Sequence, residues 1–537
     1  MDDGLRGVLR SIDGSPFQAY RKILGDHAVG DFRLTVLWVP PDPLGGPARV
    51  RLSIDRRSAG LEGDWAATDD ARAVLEDAIV RAAARAIDEQ FGPPVAVSPG
   101  SGRIGIDPPG HALALRTNAR VGDATVDVAL SIDLPAAARR VRGVQAESVL
   151  FDALPRVGMA ALLFPLRRAD ELKPLIAAQA RRRDTIAALP SRGLAALLSR
   201  PPKGAGEALS VPTGITLFVS NGVSGTGAWL RQLVADSEGP AADNAMFASP
   251  VCLIRPARHT VGPIDLAAFV RACPEVPEPE GYENDDAPAP LAVAASIVEA
   301  VEAGARILVI DEDEIPAGVL GRVGPSSSLG KGDPPLIPLA ERLAELRDHW
   351  GVSFLIAARA TSGFYDLADS VFVVDGDTVE DARERTRDAR TSALIRQPRP
   401  APPLSRRPAA RTLRIASEAA PHTLKIAAWG GRGVRVGEDL IDLQDTPLVR
   451  EPARLRAIAA LLKRAAIEAA AWRPVEELLD VLEAAANPAS LHRLEEPGLV
   501  DLERPSRVEI AAALVRWKRV EFRVAAVRLR RNAEDLP

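Results

Sequence analysis

Cysteine, methionine, histidine and tyrosine are all scarce in this chain of 537 residues. Cys252 and Cys273 cannot make a zinc site between them, and the six histidines lie scattered without metal-ligand spacing. Two reduced, mostly buried thiols of a cytosolic protein are the expectation. Long apolar runs are missing too. The longest, residues 157–166, covers about ten residues before Arg167-Arg168, far short of a membrane span. Met1 is followed by Asp2-Asp3-Gly4, which is no signal peptide, so a cytoplasmic, non-membrane protein is expected. Nor is there a dominant charge: a net charge of −5 gives no global drive towards nucleic acid or anionic lipid. The length exceeds what one core serves and points to two to four domains.

What is present centres on residues 214–233, Gly-Ile-Thr-Leu-Phe-Val-Ser-Asn-Gly-Val-Ser-Gly-Thr-Gly-Ala-Trp-Leu-Arg-Gln-Leu. A short β-branched and aromatic run, 215–219, reads as a buried strand. Ser, Asn and Gly follow, and an apolar-periodic helix begins near Ala228. Strand, glycine loop and helix are the layout of a phosphate-binding P-loop, whose backbone N–H groups and helix N-terminus receive an anion. The candidate binding residues are Gly222, Ser224, Gly225, Thr226 and Gly227. The usual Gly-Lys-Ser/Thr ending is absent. One register puts Thr226-Gly227 there and the other Ala228-Trp229, and neither brings a cation for the β/γ-phosphates or a hydroxyl for magnesium.

The pattern divides the chain into five parts: an α+β N-terminal domain with a mixed sheet (1–170), an Arg-rich helical connector (171–210), an α/β core (211–389), a Pro/Arg linker (390–410) and a small, mostly helical α+β C-terminal domain (411–537). In the core, strands are expected at 215–219, 250–254, 306–310, 352–357 and 371–374. Helices are expected at 228–235, 265–272, 291–303 and 337–349, which together argue for a mainly parallel sheet. The run Ile307-Leu-Val-Ile310 ends in Asp311-Glu312. This matches a Walker B strand, whose Asp orients magnesium and whose Glu polarises the attacking water. Residues 324–332 contain Gly330-Lys331 but have neither the spacing nor the flanking elements of a phosphate loop. A last helix at 506–529 carries Arg516, Lys518, Arg519, Arg523, Arg528, Arg530 and Arg531. Together with the arginines of 167–200 it is the feature that could meet RNA or DNA.

These elements resemble the predicted ABC-class P-loop ATPases, soluble proteins that carry an ABC-type core between their own N- and C-terminal regions. The likeness rests on Ile12-Asp13-Gly14, Ala19-Tyr20-Arg21-Lys22, Leu134-Pro135-Ala136 and Arg139-Arg140-Val141-Arg142-Gly143 in the first part. Gly214-Ile-Thr-Leu, Ile310-Asp311-Glu312-Asp313 and Phe364-Tyr365-Asp366-Leu367-Ala368-Asp369 carry it through the core, and Glu509-Ile510-Ala511-Ala512 near the end. Against the family's Gly-Lys-Ser-Thr-Leu-Leu stands Gly225-Thr226-Gly227-Ala228-Trp229-Leu230. Its polar signature falls on Pro288-Ala289-Pro290-Leu291-Ala292-Val293.

A charge-assisted contact contributes about 1.5–3 kcal/mol, so losing the Lys alone weakens nucleotide binding about ten- to a hundredfold. A lost transition-state donor costs on the order of 10²–10³ in rate. The expected protein is therefore a degenerate homologue, a pseudo-ATPase scaffold in which Asp311 as metal ligand and Glu312 as catalytic carboxylate are vestigial. It would carry no cofactor, or weakly bound ATP/Mg. A protein partner, a related ABC-class paralogue or a second copy of the chain would be its ligand. The alternatives are a weakly active ATPase, with Arg231 or Arg359 replacing the Lys, and an RNA- or DNA-binding protein of the same fold.

Overall fold

The computed structural model describes residues 3–61, 68–92, 99–107, 109, 116–163, 171–177, 194–198, 209–220, 225–237, 245–255, 260–316, 318–321, 335–359, 367–375, 378–382, 404, 407–416, 425–444, 452–487, 490–494 and 501–524. The first unit is a sheet in the order Gly25–Val29, Phe32–Trp38, Ala48–Asp55, Thr125–Ile132, Ile104–Gly105, with Ala119–Val121 also paired to Thr125–Ile132. All these pairings are antiparallel, so the expected mixed sheet is corrected. Side-chain alternation reveals which face a strand buries but carries no record of strand direction. Val126, Val128, Leu130 and Ile132 alternate inward. Helices Asp69–Phe91 and Leu154–Leu162 pack with that face in a single core. A Cβ on Gly158 would overlap Leu52, so only glycine lets the second helix approach the sheet this closely. Arg140–Val141 forms a two-residue strand, and the next helix starts at Gly143.

The core sheet runs Val251–Ile254, Ile307–Asp311, Ser353–Arg359, Ile215–Ser220, Ser370–Asp375, all parallel, with Thr378–Asp381 added antiparallel at the edge. Its central strands are buried along their length because both faces are covered, which is why they read as continuous apolar runs. Leu217, Leu308, Ile310, Phe354 and Ile356 face helix Ala289–Glu302 and Trp350. Phe218, Val309, Leu355 and Phe372 face Leu230, Leu233 and Val234 of helix Thr226–Ser237.

Several expected helices are not there. Residues 265–272 make one turn, in which the Asp265 carboxylate accepts from the Ala267 N–H and the Ala409 N–H. Val270 then bridges to Leu336. Residues 337–349 break into a 3-10 turn at Leu339–Glu341, a short α-turn and a wide turn at Leu346–Trp350, which bury Leu343, Leu346 and Trp350. Within the supposed helical connector, Leu194–Leu198 is the central strand of a three-stranded antiparallel sheet with Leu209–Pro212 and Ala245–Phe247. Pairing on both sides outweighs the helical propensity of Leu-Ala-Ala-Leu-Leu. The supposed linker is docked at its end: Leu404 is buried, and Arg407 donates to the Trp350 carbonyl at 3.2 Å. Residues 390–403 lie outside the described residues.

The C-terminal part sets helices Pro452–Glu468, Val475–Ala485 and Arg507–Arg516 against two small antiparallel sheets. The expected basic helix 506–529 stops at Arg516. Ser506 and Glu509 form its capping box, Trp517 is buried, and Val520–Val524 becomes a strand paired with Arg411–Ile415. Of its basic residues, Arg528, Arg530 and Arg531 lie outside the described residues. Cys252 and Cys273 form no disulfide and are only half-buried. No helix among the described residues is long and apolar enough to cross a membrane, and none of their His, Cys, Asp and Glu residues group to hold a metal.

Candidate phosphate-loop site

The loop strand Ile215–Ser220 starts at Gly214, whose φ of +120° and whose closeness to the Asp369 carboxylate suit only glycine. Asp369 accepts the Ile215 N–H at 2.8 Å and pairs with Arg347. The Asp of the Phe-Tyr-Asp-Leu-Ala-Asp stretch thus anchors the strand that feeds the loop. Gly222 and Ser224 lie outside the described residues. Gly225 has a φ of +61° and turns the chain into helix Thr226–Ser237, and its carbonyl accepts the Trp229 N–H at 2.9 Å. Thr226 is buried. The Trp229 ring stands edge-on to Phe218, 5.4 Å between centroids, so it packs on the sheet face.

The Walker B-like strand Ile307–Asp311 lies two places away, with Ser353–Arg359 between them. At its end the chain turns tightly: the Asp313 N–H donates to Asp311 Oδ1 at 3.1 Å and the Glu314 N–H to the Asp311 carbonyl at 3.0 Å. The Asp311 carboxylate is pressed against Gly227, where a Cβ would overlap both its oxygens. Four residues further along the same helix, and so on the same face, Arg231 pairs with Asp311 and reaches Glu314 at 2.9 Å. Arg255, just past the end of Val251–Ile254, closes the chain on Glu314 at 2.8 Å. Burial pushes the Asp311 carboxyl above its ordinary range, and Glu314 and Asp313 add to that. The Asp313 N–H and Arg231 oppose it without cancelling it.

Glu312 is half-buried, and its N–H donates to the Ala357 carbonyl at 3.0 Å. Arg359 ends its strand beside Ser220. At the signature position Pro288 caps helix Ala289–Glu302 with no side-chain hydrogen bond, and Ala292 and Val293 are buried. Of the residues singled out from sequence, Gly225, Thr226, Gly227 and Asp311 do meet. Arg255 and Glu314, which complete the ion chain, were not foreseen, since nothing local marks them.

Magnesium carried with ATP would meet a carboxylate that is already engaged. The carboxylate that would face the metal is held by a guanidinium and by the helix start.

Comparison with known proteins gives three adjoining matches. Residues 2–164 match the N-terminal region of ATPases of the ABC class, residues 194–404 the P-loop domain of ABC ATPases, and residues 425–523 the MRB1590 C-terminal domain. No curated protein matches. Among solved structures the chain is similar to the ADP conformation of MJ1267, an ATP-binding cassette of an ABC transporter. The two are 12% identical, and the match covers 38% of this chain and 97% of that one with a TM-score of 0.26, too low to carry an argument. The first two matches follow one another along the chain, and the second contains the parallel core sheet: this protein belongs to the family of ABC-class P-loop ATPases.

Proposed function

We propose that this chain is an ABC-class scaffold that has given up ATP turnover and acts by binding another protein, a related paralogue or a second copy of itself. The observation that supports this reading is the internal ion chain Arg255–Glu314–Arg231–Asp311. It satisfies the Walker B-like aspartate from within the fold, where a working site would leave it for metal. Arg231 in this position is no substitute for the lost Lys, because its charge is already engaged by two carboxylates. Glu312 is then a carboxylate without a γ-phosphate to act on. A cytoplasmic location accompanies this reading.

For the nucleic-acid reading, the helix expected to carry the terminal arginines stops at Arg516, and Arg528, Arg530, Arg531 and the arginines at 167–168, 181–183, 192 and 200 lie outside the described residues. Arg523 stacks on Trp472 at 3.9 Å, and Arg414 is paired with Glu521. The test is direct. Millimolar ATP with magnesium should leave the thermal midpoint of the full chain unchanged, and phosphate release should stay at the buffer rate. A saturable upward shift that Arg231→Ala enlarges would mean that the ion chain gates a working nucleotide site, and the scaffold reading would be withdrawn.

A further inference from the structure

Far from the loop, two stretches 385 positions apart in sequence meet in a buried polar junction. Asp501 and Arg116 are 0% and 2% exposed, and Arg116 Nη1 lies 3.3 Å from Asp501 Oδ2. The Thr117 N–H donates to Asp501 Oδ1 at 3.1 Å, and the Leu502 N–H donates back to Thr117 Oγ1 at 2.6 Å. The Asp501 N–H reaches Asp107 Oδ2 at 3.3 Å, and Arg456 spans the Asp501 carbonyl and Asp107. These bonds tie the antiparallel N-terminal unit to the segment leading into helix Arg507–Arg516.

We propose that residues 501–503 and residues 116–118 form a proton-linked clasp, which holds the N-terminal unit to the C-terminal helices and tightens on mild acidification. The groups that face it come from every neighbouring element. Helix Asp69–Phe91 brings Asp77, bonded to Arg116 and to Arg81, and Glu76, which accepts the Val121 N–H. Residue 107 brings its own carboxylate. Helix Pro452–Glu468 brings Arg454 and Arg456. Arg454 pairs with Glu503 of the same strap and with Glu509 of helix Arg507–Arg516. Carboxylates outnumber guanidiniums in this cluster. Arg116 Nη2 and both amide atoms of Asn118 are buried with no partner among the described residues, so the junction holds fewer bonds than its polar groups could make.

Burial pushes the Asp501 carboxyl up to about 6, and Asp107 adds to this, while Arg116, the Thr117 N–H and Arg456 pull it back. Asp501, Glu503 and Asp77 together outweigh burial at Arg116 and keep it charged. The closed clasp therefore binds the Asp501 proton more tightly than the open one. Its contribution is fully present below about pH 4, where both states are protonated, and is lost as the pH rises through 6. A gap of about two pKa units corresponds to about a hundredfold change in the closing equilibrium.

Hydrogen exchange on the full chain tests this, read on peptides covering residues 116–121 and 501–504 and corrected for the intrinsic pH dependence of exchange. Protection should fall about twenty- to thirtyfold between pH 4.5 and 7.5 in the natural sequence, the part of the full span that this window covers. Asp501→Asn keeps an acceptor for the Thr117 N–H without the titration, and should hold its acidic level throughout. An Asp501→Asn curve that follows the natural one overturns the proposal. Should that variant not fold, Asp107→Asn serves in its place, since Asp107 is 26% exposed and its loss removes a like charge beside Asp501. Its midpoint should move to lower pH, and an unmoved midpoint also overturns the clasp.

Discussion

Gly227→Ala should destabilise the core by about 1–3 kcal/mol, the usual range for forcing an extra methyl into a filled site. The sign is informative because glycine to alanine in a helix ordinarily gains about 1 kcal/mol. Here the new Cβ would overlap the Asp311 carboxylate. Asp311 cannot simply step aside, because Arg231 and the Asp313 N–H hold it and the turn through Glu314 fixes its backbone. Urea denaturation of Gly227→Ala, Asp311→Ala and the double variant gives the coupling directly. Alanine at both positions should recover a good part of the loss, with a coupling of about 1 kcal/mol or more. If Gly227→Ala alone is neutral or stabilising, the carboxylate does not close the helix start and the ion chain loses its meaning for function.

How far the sequence carried the fold depends on how local the deciding forces were. The strands Ile215–Ser220 and Ile307–Asp311 were legible because burial on both faces leaves a continuous apolar run. Helix Ala289–Glu302 was legible because its length and composition admit little else. Residues 265–272 misled, since Leu266, Phe269 and Val270 suit a helix face as well as they suit a turn. The contacts that decide for the turn come from Leu336 and Ala409, far along the chain. The terminal stretch failed the same way: Val-Glu-Phe-Arg-Val at 520–524 alternates over only five residues, and its partner Arg411–Ile415 lies across the C-terminal unit. At the site, the loop and the Walker B-like carboxylates were readable as motifs. That Arg231 would serve Asp311 was not, because 80 positions separate them and only the sheet order brings them together.

Arg411→Ala should cost about 3–5 kcal/mol, more than any change at the phosphate-loop site, because it leaves Glu302 as a shielded charge without its partner. The Arg411 side chain is 1% exposed. Its Nε donates to Glu302 at 3.0 Å, its Nη1 reaches the Pro263 carbonyl at 3.4 Å, and its guanidinium lies 4.5 Å from the Phe522 ring centroid. One side chain thus joins the last turn of the helix before the Walker B-like strand to two paired strands of a C-terminal sheet, Arg411–Ile415 and Val520–Val524. Exchanging both partners, as Arg411→Met with Glu302→Leu, should return most of the loss, since packed apolar groups can replace a buried ion pair. Glu312→Gln supplies the contrast: on the scaffold reading, this change at a half-buried carboxylate should alter stability by no more than about 0.5 kcal/mol and leave ATP turnover at background. In a working ATPase the order is reversed, with the water-polarising Glu decisive for activity. A scaffold depends instead on the junctions that hold its parts in one arrangement. A core that keeps its denaturation midpoint in Arg411→Ala would show that the junction is not needed for stability, and an ATPase signal that Glu312→Gln abolishes would place this chain among the enzymes of its family after all.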